Sequence, residues 1–181
     1  NVLEHDIKFI EDNWESPTLG AAGLGWEIQC NGTEISQFTY FQQMGGIECK
    51  PVSLELTYGL ERIAMFLQNV DNIFEIKWND NGLTYGDLFL ENEKEFSKYN
   101  FDYVSILGSK EEFKQLENDC LFLIKKKLIR PAYDKCIKAS HIFNLLDARG
   151  TLSVSERQSY ILLIRNLSKR CCELWIEKYY E

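Results

Sequence analysis

The residues of this 181-residue chain with the clearest chemical potential are Glu27, Glu34, Glu55 and Arg62. Glu27 and Glu34 flank an Asn31-Gly32 pair, the strongest short signal for a two-residue β-turn. With those two residues in the loop, Cys30 faces Thr33, Gln29 faces Glu34, and Glu27 lies diagonal to Glu34 on the same face of the ribbon. Two carboxylates held in this way repel one another. A hard divalent cation such as Mg²⁺, completed by phosphate oxygens, relieves that repulsion and makes the ribbon a candidate nucleotide-metal site. On spacing alone the pair also fits an ordinary solvated strand face.

Glu55 opens the run Glu55-Leu-Thr-Tyr-Gly-Leu-Glu-Arg62, in which an extended segment passes through Gly59 into a helix carrying Glu61 and Arg62 in its first turn. The fixed fork of donors on an arginine so placed suits a phosphate group. A surface ion pair is the plainer alternative.

The elements that must position these side chains follow from composition and periodicity. Nine of the 11 glycines precede residue 90, where the pattern is one of strands and turns, with an antiparallel pair expected over 26–30 and 33–42. Over 58–70, Leu60, Ile63, Ala64 and Leu67 recur at helical spacing. Beyond residue 90 the spacing predicts three amphipathic helices over 110–127, 131–146 and 154–179. Pro131 suits a first helical turn, and Ser153 followed by Glu156 forms a capping-box signature. In the last helix, Tyr160, Ile164, Leu167, Cys171, Leu174 and Lys178 make a narrow seam that serves either its own domain or a partner subunit. The expected class is α+β, with residues 1–90 in an antiparallel sheet flanked by helices and 91–181 in a helical region.

The remaining composition narrows the function classes. A hydrophobic fraction of 45% and an aromatic fraction of 13% fit a globular protein, and no apolar run approaches the ~20 residues that span a bilayer. Residue 1 is Asn and no signal peptide follows, so the numbering is expected to begin inside a longer chain. The six cysteines show no CxxC or zinc-ligand spacing and are expected to be reduced thiols in a cytoplasm. A formal charge of -8 argues against this chain gripping a polyanion unaided, so an RNA substrate would be held elsewhere. His5 and His141 are expected to be structural. Trp78, Trp175, Tyr179 and Tyr180 are expected to serve packing, and Lys125-Lys-Lys127 to complement a helix end.

The run ending Gly59-Leu-Glu-Arg62 resembles motif 3 of the class II aminoacyl-tRNA synthetases, and the hairpin with Glu27, Glu34 and Gln37 resembles the strand pair of the same enzymes. More closely, Glu11-Asp-Asn-Trp-Glu15, Gly23-Leu-Gly-Trp-Glu27, Gln37-Phe-Thr-Tyr-Phe-Gln-Gln43, Glu48-Cys-Lys-Pro51 and Phe143-Asn-Leu-Leu-Asp-Ala-Arg149 look like the alpha subunits of bacterial heterotetrameric glycyl-tRNA synthetases, here the carboxy-terminal two-thirds. The resemblance implies a glycine–tRNA ligase that activates glycine with ATP. It implies that Glu27 and Glu34 bind the ATP-associated Mg²⁺ and that Arg62 contacts ATP as the catalytic arginine.

By likeness to the alanyl-tRNA synthetases, Trp14 would wall the amino-acid pocket, Gln37 and Thr39 would approach the amino acid, and Glu55 would hold its ammonium group. Thr57 would fill the space of a substrate methyl; a plain strand residue is the other reading. Because strict alternation puts Glu34 and Gln37 on opposite faces, a bulge near Ile35 or Ser36 is expected. The family further implies an alpha homodimer within an α2β2 assembly, a beta subunit carrying most tRNA contacts, and motifs 1 and 2 before residue 1, so that these residues alone would be inactive. The competing functional class is a synthetase-like protein that binds an amino acid or nucleotide without charging tRNA, and an alanine-specific relative is a third possibility.

Overall fold

The computed structural model describes residues 6–180. The class is α+β, as expected: among the described residues an antiparallel sheet of five strands accompanies five α-helices. The strands are β1 (Ile7–Glu11), β2 (Trp14–Ser16), β3 (Ala21–Cys30), β4 (Thr33–Met44) and β5 (Ile47–Tyr58). The helices are α1 (Leu60–Gln68), α2 (Tyr85–Lys98), α3 (Ile106–Lys125), α4 (Ile129–Ala148) and α5 (Val154–Tyr179). In the sheet the order is β1-β3-β4-β5, with β2 also paired to β3. The chain forms two compact units, one of Asn1–Trp14, Leu24–Tyr40 and Leu54–Tyr99, the other of Glu15–Gly23, Phe41–Ser53 and Asn100–Glu181.

In the first unit the Asn-Gly bend forms where its chemistry demands. Asn31 (φ 50°) and Gly32 (φ 83°) both occupy the left-handed region that a type I′ turn requires, which sets Thr33 against Cys30. β1 pairs antiparallel with β3 from Ile7 opposite Cys30 to Glu11 opposite Trp26. Past β5 the chain enters α1, shorter than the 58–70 expected from periodicity, and α1 ends at Asn69 in the left-handed conformation (φ 51°). α2 spans the position at which the glycine content drops. It is held at its start by a reciprocal capping box between Thr84 and Asp87. Tyr85 and Phe89 of α2 pack their rings with those of Phe74 and Trp78, so Trp78 makes packing contacts as expected.

The second unit owes its cohesion to α3, α4 and α5. Phe113, Leu116 and Cys120 from α3, Ala132, Cys136, Ala139 and Phe143 from α4, and Ile164, Leu167 and Cys171 from α5 form one buried cluster. The seam read from the sequence of α5 therefore faces its own unit, with Ile164 and Leu167 at most 1% exposed. Ser153 and Glu156 close the predicted capping box, and two hydrogen bonds from Ser153 plus the neighbouring Lys110 hold the Glu156 carboxyl down at about 2. All six cysteines are free thiols, and burial acts on those packed inside: Cys136 is pushed up to about 12 and Cys172 to about 11, with neighbouring thiols adding to the effect. His141 lies exposed on α4, while His5 falls outside the described residues. Among the described residues no helix is long and apolar enough to cross a membrane.

Candidate functional site

The candidate site lies in the first unit, and its geometry starts at Gly59, the residue between β5 and α1. The Gly59 amide donates to the Ile35 carbonyl at 2.9 Å. This bond ties the end of β5 to β4 near Ile35. Counting in step from the two-residue Gly45-Gly46 turn would have put Ile35 opposite Leu56 instead, so the two strands are out of strict register by this end. The Ser36 hydroxyl donates to the Thr57 carbonyl at 2.9 Å, a second tie between the same segments.

The faces of Glu34 and Gln37 can be followed through their neighbours. Glu34 follows the turn opposite Gln29, and Gln29 donates to the Glu27 carboxylate, which fixes Glu27 and Gln29 on one face. Gln37 donates to Asp12, whose amide bonds the Gly25 carbonyl at 2.9 Å, and a methyl built on Gly25 would lie 3.3 Å from the Thr39 hydroxyl. Gln37 and Thr39 thus reach the face of Gly25 and Glu27, three residues of β4 past a carboxylate that shares it. Strict alternation along both strands does not produce this arrangement.

Arg62 joins the helix to the acidic ribbon. Its Nη1 donates to the Glu34 carbonyl at 2.8 Å and to the Glu34 carboxylate at 3.2 Å, and both side chains remain substantially exposed. Gly59 lies close to this side chain, where a methyl would sit 3.3 Å from Arg62 Cδ. The plainer sequence reading, an ion pair, is present, and its arginine faces the ribbon whose carboxylates were read as a metal site. Glu55 accepts a hydrogen bond from the Thr57 hydroxyl at 2.7 Å. Thr39 is 2% exposed, whereas Glu55 and Thr57 are open to solvent. Trp14 opens β2 and is half-buried beside β3.

These donor sets limit what can bind. Glu27 and Glu34 on one face offer two hard oxygen sites and leave most of an octahedral shell free, which fits Mg²⁺ carried in on phosphate oxygens. Among the described residues no group of three or more metal-ligating side chains comes together. The acceptors Gln37 and Glu55 suit an ammonium group, and the guanidinium of Arg62 suits a phosphate.

Sequence reasoning assigned no role to Asp12 or Asn13. Asn13 Oδ1 accepts from the Gly25 amide at 3.3 Å, so the two residues together clamp the backbone of Gly25 on both sides. A cavity of about 770 Å³ in the second unit, lined by Met44, Pro51, Tyr133, Cys172 and Trp175 among others, contains none of the expected site residues. Compared with protein families, residues 1–179 of the chain match the model described as glycyl-tRNA synthetase alpha subunit.

Proposed function

Because the chain belongs to the family of glycyl-tRNA synthetase alpha subunits, we propose that it supplies the site at which glycine and ATP react to glycyl-adenylate, before the glycyl group passes to the terminal ribose of tRNA(Gly). A ligase role in aminoacyl-tRNA synthesis comes with the family. The adenylate and transfer steps, and the assignment of residues to them, are our reading of the first unit as part of a class II catalytic domain.

The glycine carboxylate attacks the α-phosphorus of ATP and pyrophosphate leaves, so the protein's task is to position charges rather than to form a bond itself. Arg62, held by Glu34, is directed at the nucleotide phosphates. Mg²⁺, when bound on those phosphates, neutralises their charge, and Glu27 and Glu34 are the residues that would hold it. Gln37 and Glu55 accept from the glycine ammonium. Trp14, Thr39 and Thr57 bound the space around the α-carbon. Choosing glycine is chiefly a matter of excluding larger side chains, since an attractive pocket gains just ~1–3 kcal/mol per methylene.

The observation that carries this reading is the reach of Arg62 from α1 onto Glu34 of β4, which unites the two sequence motifs on one surface. The acidic balance of -8 supports a beta subunit as the main tRNA-holding partner in an α2β2 enzyme acting in the cytoplasm. The test is ATP–pyrophosphate exchange by the full-length alpha subunit with its beta partner. Glycine-dependent exchange that collapses in Arg62→Ala is expected. Exchange absent with glycine would favour a non-charging binding protein, and exchange driven equally by alanine would favour an alanine-specific relative.

A further inference from the structure

We propose that Asp12 is a positioning residue for amino-acid recognition: its carboxylate fixes the Gln37 amide so that Oε1 is left to accept from the ammonium group of glycine. This inference rests on the proposed function. A carboxylate only accepts hydrogen bonds, so the amide group facing Asp12 Oδ2 at 2.8 Å must be Nε2. The carbonyl end of the same planar amide is then the one not engaged by Asp12. Without that partner the amide turns over freely, and half of its orientations present a donor to a cation.

Asp12 is itself held in place. Its amide bonds the Gly25 carbonyl at 2.9 Å, and the next residue, Asn13, accepts from the Gly25 amide at 3.3 Å. Gly25 has no room for a side chain, because a methyl would meet the Asp12 carbonyl at 2.7 Å and the Phe38 carbonyl at 2.8 Å. The segment carrying Asp12 therefore lies flat against β3, within reach of the neighbouring β4. Glu55 is treated alike, with one oxygen engaged by the Thr57 hydroxyl at 2.7 Å. Each substrate-facing acceptor is held by a second side chain that leaves an oxygen available.

The experiment measures glycine-dependent ATP–pyrophosphate exchange in the full-length complex with Asp12→Ala, Asp12→Asn, Gln37→Ala and the double variant Asp12→Ala/Gln37→Ala. Asp12→Ala is expected to raise the KM for glycine about tenfold while the KM for ATP and the melting temperature stay unchanged. Asp12→Asn keeps an acceptor and restores most of the affinity. In the Gln37→Ala background, Asp12→Ala is expected to add nothing. An unchanged glycine KM in Asp12→Ala, or the full Asp12 effect persisting without Gln37, overturns the inference while leaving the proposed function intact. No glycine-dependent exchange in the unmutated complex overturns both.

Discussion

Arg62 and Glu34 meet twice, once through the Glu34 backbone carbonyl at 2.8 Å and once through its carboxylate at 3.2 Å. The carbonyl contact gives the arginine an anchor that does not depend on the charge of Glu34. Because both side chains are exposed, the ion pair itself contributes only ~0–1 kcal/mol to folding. Under the proposed function, the pair serves to aim the guanidinium. Arg62→Ala is accordingly expected to lower exchange by about 10²–10³ with little change in melting temperature. Arg62→Lys should recover only a minor part, since an ammonium lacks the fork. A variant as stable as the parent and as active would remove Arg62 from the chemistry.

Thr57 combines bulk with a hydroxyl donated to Glu55, and two substitutions separate these properties. Thr57→Val keeps the volume and removes the donor, so it should weaken glycine binding while alanine is still rejected. Thr57→Gly removes both and should narrow the preference for glycine over alanine by about 10–200-fold. Kinetics with each amino acid decide the matter. Equal discrimination in the parent and in Thr57→Gly would assign Thr57 to the strand alone.

Gly25→Ala drives a methyl to within 2.7 Å of one carbonyl and 2.8 Å of another, both on backbone that cannot rotate away. A loss of ~1–3 kcal/mol is expected, read as a lower denaturation midpoint. The glycine KM should rise along with it, because the segment between β1 and β2 that carries Asp12 is displaced. Unaltered stability would show that the sheet opens there without cost.

The buried thiols of the second unit give a pH prediction. Burial pushes the Cys136 thiol up to about 12 and the half-buried Cys172 thiol up to about 11, while unfolded cysteine ionises near 9. Above pH ~9 the unfolded chain releases protons that the folded chain retains, so this contribution to stability is complete below that pH. It is lost progressively as pH rises towards 12. Helical signal and thiolate absorbance should therefore change together in an alkaline titration. Thiolate formation by these residues below pH 9 with helices intact would contradict the burial.

Much of the helical half was legible because its pattern is strong. The bounds of α5 coincide with those read from its periodicity, and its capping box was visible in Ser153 and Glu156. By contrast, α2 was missed: it starts beside Gly82 and Gly86, buries no residue, and carries its capping partner as Asp87 rather than as a glutamate. The junction of Glu34 with Arg62 could be anticipated only as two separate motifs, since 28 residues separate them. Asp12 escaped notice for a related reason. Its bond to Gln37 crosses 25 residues and involves a segment between strands, where no periodic signal exists.

β5 carries Glu55 and Thr57 on one face and Val52, Leu54, Leu56 and Tyr58 on the other, each of the four at least 47% exposed. Side chains alternate strictly along a strand, so inserting or deleting one residue between Gly46 and Glu55 would exchange the faces. Leucines would then stand where the carboxylate and hydroxyl belong, with every site residue still encoded. Under the proposed function, the length of this stretch therefore matters as much as the identity of any side chain on it.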